Sequence, residues 1–324
     1  MRFDRLERKS FLPLSMGEVK SYDVEVGCRA DGTPWQIRFM IVEGKSAGPT
    51  TAFVAGIFGD KPLATLALWQ LAEVLADEPS LSGRVVLCPA ANPYALETGT
   101  RVSSDHLYLN RVFPGTDKGF LTNQIAHAVL TTILDETDHV VDLHSGTPSM
   151  ALWYTYDYGN LEFSSSFGYT PVVTNFAQPG QLSKAMVDAG GSSMLVEFGG
   201  GALSDPAVGV SGCLNVLRYR GHLTGKMTGP QAIPLIDGDV SLYQPSATGM
   251  LVSCYDTDKV GTEIKQGLVA SLVCPGTGKT LEEFNEDRGG ALLLLANASP
   301  SMLSAGDFGA ALGYSNGSID LPTV

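Results

Sequence analysis

A single stretch limits the folds open to this chain more than any other. Residues Thr51 to Ile57 form an apolar run that reads as a buried strand, and Gly56 and Gly59 then punctuate a turn. After Pro62, the apolar residues Leu63, Leu66, Ala67, Leu71, Val74 and Leu75 recur at helical spacing, with the proline in the first turn where its missing N–H costs nothing. A second short apolar strand, Arg84–Pro89, follows. Strand, helix, strand is the pattern of a parallel or mixed sheet covered by helices, and such sheets place their chemistry at strand ends running into turns. The turn itself, Phe58, Gly59, Asp60 and Lys61, is an unusual set for a catalytic loop.

The remaining chain extends this pattern. Ser21–Val26 and Trp35–Val42 read as strands on either side of an Asp31-Gly32 turn. A long polar segment, Ala90 to Gly119, carries Arg101, His106, Asn110 and Arg111, and reads as a functional loop. A helix is expected over Thr122–Leu134, then strands over His139–Leu143 and Met150–Tyr154. Gln181–Ala189 reads as a helix, Ser193–Phe198 as a strand and Pro206–His222 as a helix. Beyond about Leu223, short β-rich runs (Gly249–Cys254, Leu268–Cys274, Gly290–Ala296, Phe308–Gly313) alternate with turn clusters. The expected organisation is an α/β domain with a mixed sheet over 1–227 and a small, barrel-like β-rich domain over 228–324.

Composition enters through what it excludes. The formal net charge of −13 opposes nucleic acid and anionic membrane as partners, since both require a basic face. No apolar run reaches the ~18 residues of a membrane helix, and the charged N-terminus lacks a signal-peptide core. The five cysteines are scattered without a C-x-x-C pair, which suits reduced, mostly buried thiols and a cytoplasmic setting. Two tempting motifs fail. Pro275-Gly-Thr-Gly-Lys279-Thr280 resembles a phosphate loop but has Val273 where the first glycine belongs, so a turn between strands is expected. No Gly-x-Ser-x-Gly elbow supports Ser145 as a nucleophile.

Polar residues collect at three expected strand ends: Asp60 with Lys61, Asp142 with His144, and Glu197. Between the first two lies the segment bearing Arg101, Asn110 and Arg111. Arginine forks bind carboxylates at two points, an arginine near a carbonyl can hold a developing oxyanion, and a strand-end carboxylate can act as general base. Together these residues suggest hydrolysis of an amide next to a carboxylate. Taken singly, each has a plainer reading: Arg111 as a surface ion pair, Asn110 as a turn cap, His144 as a satisfied core histidine.

The joint pattern resembles the succinylglutamate desuccinylase/aspartoacylase family, relatives of the zinc carboxypeptidases, over most of the chain. Asn92-Pro93-Tyr94-Ala95 with Gly99-Thr100-Arg101 is similar to its Asn-Pro-x-Ala…Arg segment. Leu109-Asn110-Arg111-Val112-Phe113-Pro114-Gly115 is similar to its Asp-Leu-Asn-Arg-x-Phe-Pro-Gly, with Tyr108 in place of the aspartate. Val141-Asp142-Leu143-His144 resembles the strand delivering a histidine ligand, and Val196-Glu197-Phe198-Gly199 the segment of the catalytic glutamate. The resemblance implies a zinc-carboxypeptidase-like domain with a β-rich C-terminal domain. It further implies that Arg101 polarises the scissile carbonyl, that Asn110 and Arg111 hold the substrate carboxylate with Tyr108 and His144 beside them, and that Glu197 activates water.

The departures fall on the metal. The family's Gly-x-His-Gly-x-Glu reads Gly56-Ile57-Phe58-Gly59-Asp60-Lys61, so its ligand positions are Phe58, Lys61 and His144, of which only His144 can ligate. A catalytic zinc needs three protein ligands, and neither phenylalanine nor a protonated lysine supplies one. Asp60 and His106 are the substitutes within reach. No cofactor is expected, although zinc is the family's. Lys61 then replaces the metal's charge beside Glu197, in an enzyme acting on a small N-acyl amino acid or related carboxylate. Two other readings stay open: a metal-independent lyase or cyclase using Lys61 and Glu197, and an inactive relative binding a small anionic ligand. The expected partner is a small carboxylate-bearing molecule, with homo-oligomerisation left open.

Overall fold

The computed structural model describes residues 19–322. Along the chain the elements are β1 (Val19–Val26), β2 (Trp35–Glu43), β3 (Ser46–Val54), α1 (Pro62–Ala76), β4 (Ser82–Cys88), α2 (Pro93–Thr98), α3 (Leu121–Glu136) and β5 (His139–Ser145). Next come β6 (Met150–Asp157), α4 (Leu161–Ser165), β7 (Val172–Thr174), α5 (Leu182–Asp188), β8 (Ser192–Gly199) and α6 (Pro206–Tyr219). The remainder is β9 (Ala232–Asp237), β10 (Val240–Tyr243), β11 (Gly249–Ser253), β12 (Gly267–Val273), β13 (Thr280–Glu286), β14 (Ala291–Asn297), β15 (Ser301–Leu303), β16 (Ala310–Tyr314) and β17 (Gly317–Asp320).

Strand β3 lies at the heart of one mixed sheet, ordered β1-β2-β4-β3-β5-β8-β6-β14-β16-β10. The run β4, β3, β5 and β8 is parallel, so the strands leading to Lys61, His144 and Glu197 end on the same edge. Alternation along these strands separates two cores, as the period-two geometry of a strand requires. Phe53, Val141, Val196 and Phe198 face α1 and α6, while Val54, Val140 and Val86 face α3 and α5. Both faces are covered by helices, which explains why these strands read as continuous apolar runs.

Several expectations are corrected in detail. The buried stripe of α1 is Leu63, Ala64, Ala67, Leu68, Leu71, Ala72 and Leu75, whereas Leu66 and Val74 face solvent. The i, i+4 rows starting at residues 63 and 64 share one face, and Leu66 and Val74 lie off it. The segment Ala90–Gly119 is not all loop. Asn92 caps α2 by accepting from the Ala95 N–H at 3.1 Å, Pro93 opens the helix, and Gly99 closes it with φ +63°. That is an ordinary cap-proline-glycine signature. Of the cysteines, only Cys88 and Cys213 are buried; Cys28 and Cys254 are exposed and Cys274 is half-buried, all five as free thiols.

The change of texture near residue 228 is not a break in the sheet. Strand β14 pairs antiparallel with β6, setting Leu295 opposite Leu152, and β16 and β10 continue outward from it. The outer edge of β6 forks: its first half pairs with β14 and its second half with β7, which leads on to β9 and β17. A second sheet, ordered β13-β12-β11-β15, packs against the first, with Leu251, Val269 and Ala270 sharing a core with Leu293 and Leu312. The Pro275–Lys279 stretch is the turn joining β12 to β13, closed by Cys274 N–H to Lys279 O at 2.8 Å, with no helix after it. Among the described residues no helix is long and apolar enough to cross a membrane.

Candidate functional site

The corner after β3 is held by contacts that only glycine permits. A Cβ on Gly59 would stand 1.8 Å from the Ala95 carbonyl oxygen, because α2 passes directly over the turn. Gly59 N–H donates to Thr100 O at 2.9 Å, and Asn92 Nδ2 donates to Ile57 O at 3.4 Å. The turn and the segment leading to Arg101 are thus tied together. Gly56 adopts φ +69°, a conformation unfavourable for residues with a Cβ.

Lys61 sits at the N-cap of α1, where the helix dipole opposes a cation. It is nevertheless buried, and Nζ donates to both oxygens of Glu197 at 2.9 and 3.0 Å. Burial pushes the Lys61 ammonium below its ordinary value; the Glu197 carboxylate opposes that fall and Arg101 adds to it. A buried ion pair with a desolvated ammonium, facing a cavity, makes this corner a candidate functional site.

Phe58 forms the partition beside this pair. The Arg101 guanidinium lies 4.8 Å from its ring centroid and the Lys61 ammonium 5.4 Å, both within cation–π range. The His144 ring, tilted against it, is 5.4 Å away. Arg101 also reaches Asp60 Oδ2 at 3.4 Å, and the second oxygen, Oδ1, is buried without a hydrogen-bond partner.

His144 belongs to a different cluster. Its Nε2 is 2.8 Å from Asp142 Oδ1 and 3.3 Å from Asn110 Nδ2, while Asn110 Nδ2 donates to Asp142 Oδ2 at 3.3 Å. Asn110 Oδ1 accepts from the Leu182 N–H at the start of α5 at 2.8 Å. The cluster is buried, and His144 is absent from the walls of the adjoining cavity.

That cavity is lined at its polar end by Phe58, Lys61, Arg101, Asn110, Arg111 and Glu197. A shallower outer depression shares Phe58, Arg101, Arg111, Met150 and Phe308 with it, which makes these side chains the neck. Arg111 is exposed at the neck, with Nη1 donating to the Asn110 carbonyl at 2.7 Å. Tyr108 lines only the outer depression and is exposed, edge-on to Phe58. His106 is exposed and lines neither space.

Lys61, Glu197, Arg101, Asn110 and Arg111 are therefore brought together, whereas His144 is set behind Phe58 and Tyr108 outside the neck. Sequence reasoning missed Tyr154 and Tyr156, which line the cavity from β6, with Tyr154 directly opposite Glu197 in the strand register. Burial pushes both phenols above their ordinary value, and the nearby Glu197 charge adds to the rise, so both are neutral hydrogen-bond donors. The alternation Leu152, Tyr154, Tyr156 along one strand face was the available signal.

The residues at the family's metal position do not fit a zinc ion. A phenylalanine ring and an ammonium stand where two ligands would be, and the third candidate, His144, has its Nε2 engaged by Asp142 and Asn110. Among the described residues no three His, Cys, Asp or Glu side chains gather where they could hold a metal ion.

Comparison with known proteins accounts for this framework. The sequence profile of the succinylglutamate desuccinylase/aspartoacylase catalytic domain matches residues 47–208. The N-alpha-acetyl-L-2,4-diaminobutyric acid deacetylase of Halomonas elongata is 30% identical over 284 residues, covering 81% of each chain. A succinylglutamate desuccinylase crystal structure from Silicibacter superposes with a TM-score of 0.80 at 24% identity, covering 98% of this chain and 100% of that one. The product-bound ectoine utilization protein EutE (DoeB) of Ruegeria pomeroyi gives a TM-score of 0.78 at 25% identity, covering 94% and 98%. With these matches and a mixed sheet that places Arg101, Asn110, Arg111 and Glu197 about one cavity, the chain belongs to the succinylglutamate desuccinylase/aspartoacylase family.

Proposed function

We propose that this protein is a deacylase for a small N-acyl amino acid or a related carboxylate, working without zinc, with Lys61 in the metal's place. The observation that carries the proposal is the buried Lys61–Glu197 pair opening onto the cavity that Arg101 and Arg111 flank. Arg111, at the neck with Asn110 behind it, takes the substrate carboxylate. Glu197 receives a proton from water, and the water oxygen bonds to the acyl carbon while the carbonyl electron pair moves onto oxygen. Lys61 and Arg101 hold that oxyanion, and Tyr154 is placed to donate to it. Collapse breaks the C–N bond as Glu197 returns its proton to the leaving nitrogen. Lys61 brings one charge where a dication would bring two, so turnover is expected below that of a zinc-bearing relative.

A second reading has a specific observation behind it. Both Glu197 oxygens accept from Lys61, so the base is engaged until a ligand separates the pair. In that reading the cavity binds a small anion and turns nothing over. The test is amine release from a panel of N-acyl amino acids, using protein treated with chelator and assayed for metal. Turnover that survives chelation supports the proposal. Stoichiometric zinc whose removal abolishes turnover would overturn the metal-free reading, and binding without turnover across the panel would favour the second.

A further inference from the structure

The strand order lays out an axis across the cavity. From β5 the sheet passes to β8, β6, β14, β16 and β10. Asn110 and the neighbouring Arg111 stand over the β5 side, since Asn110 bonds to Asp142 and His144 on that strand. Glu197 projects from β8 and Tyr154 lies opposite it on β6. Along the row of strands beyond Tyr154 the lining turns apolar, while Tyr156, Gln178 and Gln181 line the cavity elsewhere. The register then places Leu152 beside Leu295, Leu295 beside Ala311, and Ala311 beside Leu242, and all four line the same cavity.

Two structural devices build this floor. A register shift between Leu293 and Leu295 makes a bulge in β14, so that Leu294 and Leu295 both turn into the cavity instead of alternating. Bulges commonly re-aim a side chain next to a functional site. The fork in the outer edge of β6 supplies the far wall, where Val173 on β7 and Phe176 just after it join the lining. From β6 to β10 the floor spans three strand spacings, about 14 Å at the usual ~4.8 Å each.

We infer that the acyl group this site accepts is a medium-length alkyl chain, laid over Leu152, Leu295, Ala311 and Leu242. The inference rests on the carboxylate-binding reading of Arg111. An acid held at β5 with its amide over Glu197 can lay its acyl group along the β6-to-β10 side. An acetyl or a charged succinyl group would leave that apolar floor wet, whereas an alkyl chain removes it from water.

The experiment is calorimetric titration of the full-length protein with methanesulfonyl-, butanesulfonyl- and hexanesulfonylglycine, whose sulfonamide resists hydrolysis. Affinity is expected to rise by about fourfold for each methylene buried. Leu242→Gln, and separately Leu295→Gln in case one variant folds poorly, should flatten the rise while leaving methanesulfonylglycine affinity unchanged. Arg111→Ala should weaken every member alike. A flat series with the Arg111 dependence intact would overturn the alkyl subsite and leave the carboxylate reading standing. Absence of binding, or binding indifferent to Arg111, would overturn both.

Discussion

Two buried polar clusters lie within a few ångströms of the same phenylalanine ring, and they have been resolved in opposite ways. In one, Asp142, His144 and Asn110 satisfy one another, and Asn110 Oδ1 accepts from the Leu182 N–H. In the other, Lys61 and Glu197 satisfy one another but face a cavity, with Arg101 and Arg111 nearby. The first cluster is largely satisfied internally, and only its Asn110 reaches the cavity wall. The second holds opposite charges that a polar ligand can part. Burial alone therefore does not identify a functional group, whereas burial beside an open face does.

The largest expected effect tests whether the open cluster performs chemistry. Glu197→Gln keeps the shape and one acceptor for Lys61 but removes the base. Turnover of whichever N-acyl amino acid the wild type hydrolyses should fall by about 10²–10⁴-fold, the usual contribution of a general base. KM should move little, because Arg111, the proposed partner of the carboxylate, is untouched. Turnover unchanged in this variant would make the two clusters alike and remove Glu197 from the reaction.

A second test breaks the partition itself. The double substitution Phe58→His with Lys61→Glu returns the family's ligands to the corner after β3. The variant is expected to retain about one zinc per chain, three protein ligands being the usual catalytic complement. Zinc analysis after exhaustive dialysis is the measurement. His144 can ligate through Nδ1 while Nε2 stays with Asp142, or through Nε2 by giving up that contact, so uptake would show that its imidazole is available to the corner after β3. Protein that emerges free of zinc would mean that His144 does not complete a metal site even when two ligands return.

Much of this arrangement was legible in the sequence, for physical reasons. Lys61, His144 and Glu197 follow apolar runs that end at the same edge, and parallel strands bring such ends together whatever the residues are. Arg101 follows Asn92, Pro93 and Gly99, whose capping chemistry is local. The floor beyond Tyr154 was not legible. It depends on Leu295 pairing with Leu152 across a long stretch of chain, and on a bulge that turns two consecutive leucines the same way. Nor could sequence separate His144 from Lys61 as closed and open. Both are polar residues after apolar strands, and only the cavity wall, which includes Lys61 and not His144, distinguishes them.

A smaller effect probes the closed cluster. Asp142 is wholly buried and accepts from Asn110 while meeting His144 at 2.8 Å. Asp142→Asn leaves an amide that cannot accept at both oxygens, so one buried donor loses its partner. The expected cost is about 1–3 kcal/mol of unfolding free energy, read by denaturant titration, with KM unchanged in the folded protein. A shift in KM comparable to that of a cavity residue would show that the partition transmits more than support.

The smallest effect concerns pH and separates the clusters by titration. Burial lowers the Lys61 pKa from its ordinary 10.5, so between the depressed value and 10.5 the unfolded chain binds more protons than the folded one. Stability must then rise with pH across that window, because unfolding takes up protons there. Below the depressed value both states are protonated and the dependence on Lys61 vanishes. Denaturant midpoints measured in steps through the alkaline range should show this rise in the wild type, and Lys61→Met should remove it while Asp142→Asn keeps it. A rise that survives Lys61→Met belongs to another group; a fall with pH would mean that the Glu197 carboxylate outweighs burial and that the ammonium is held more firmly than in water. In that case Lys61 would act only as a fixed charge towards the oxyanion and could not give up its proton during turnover.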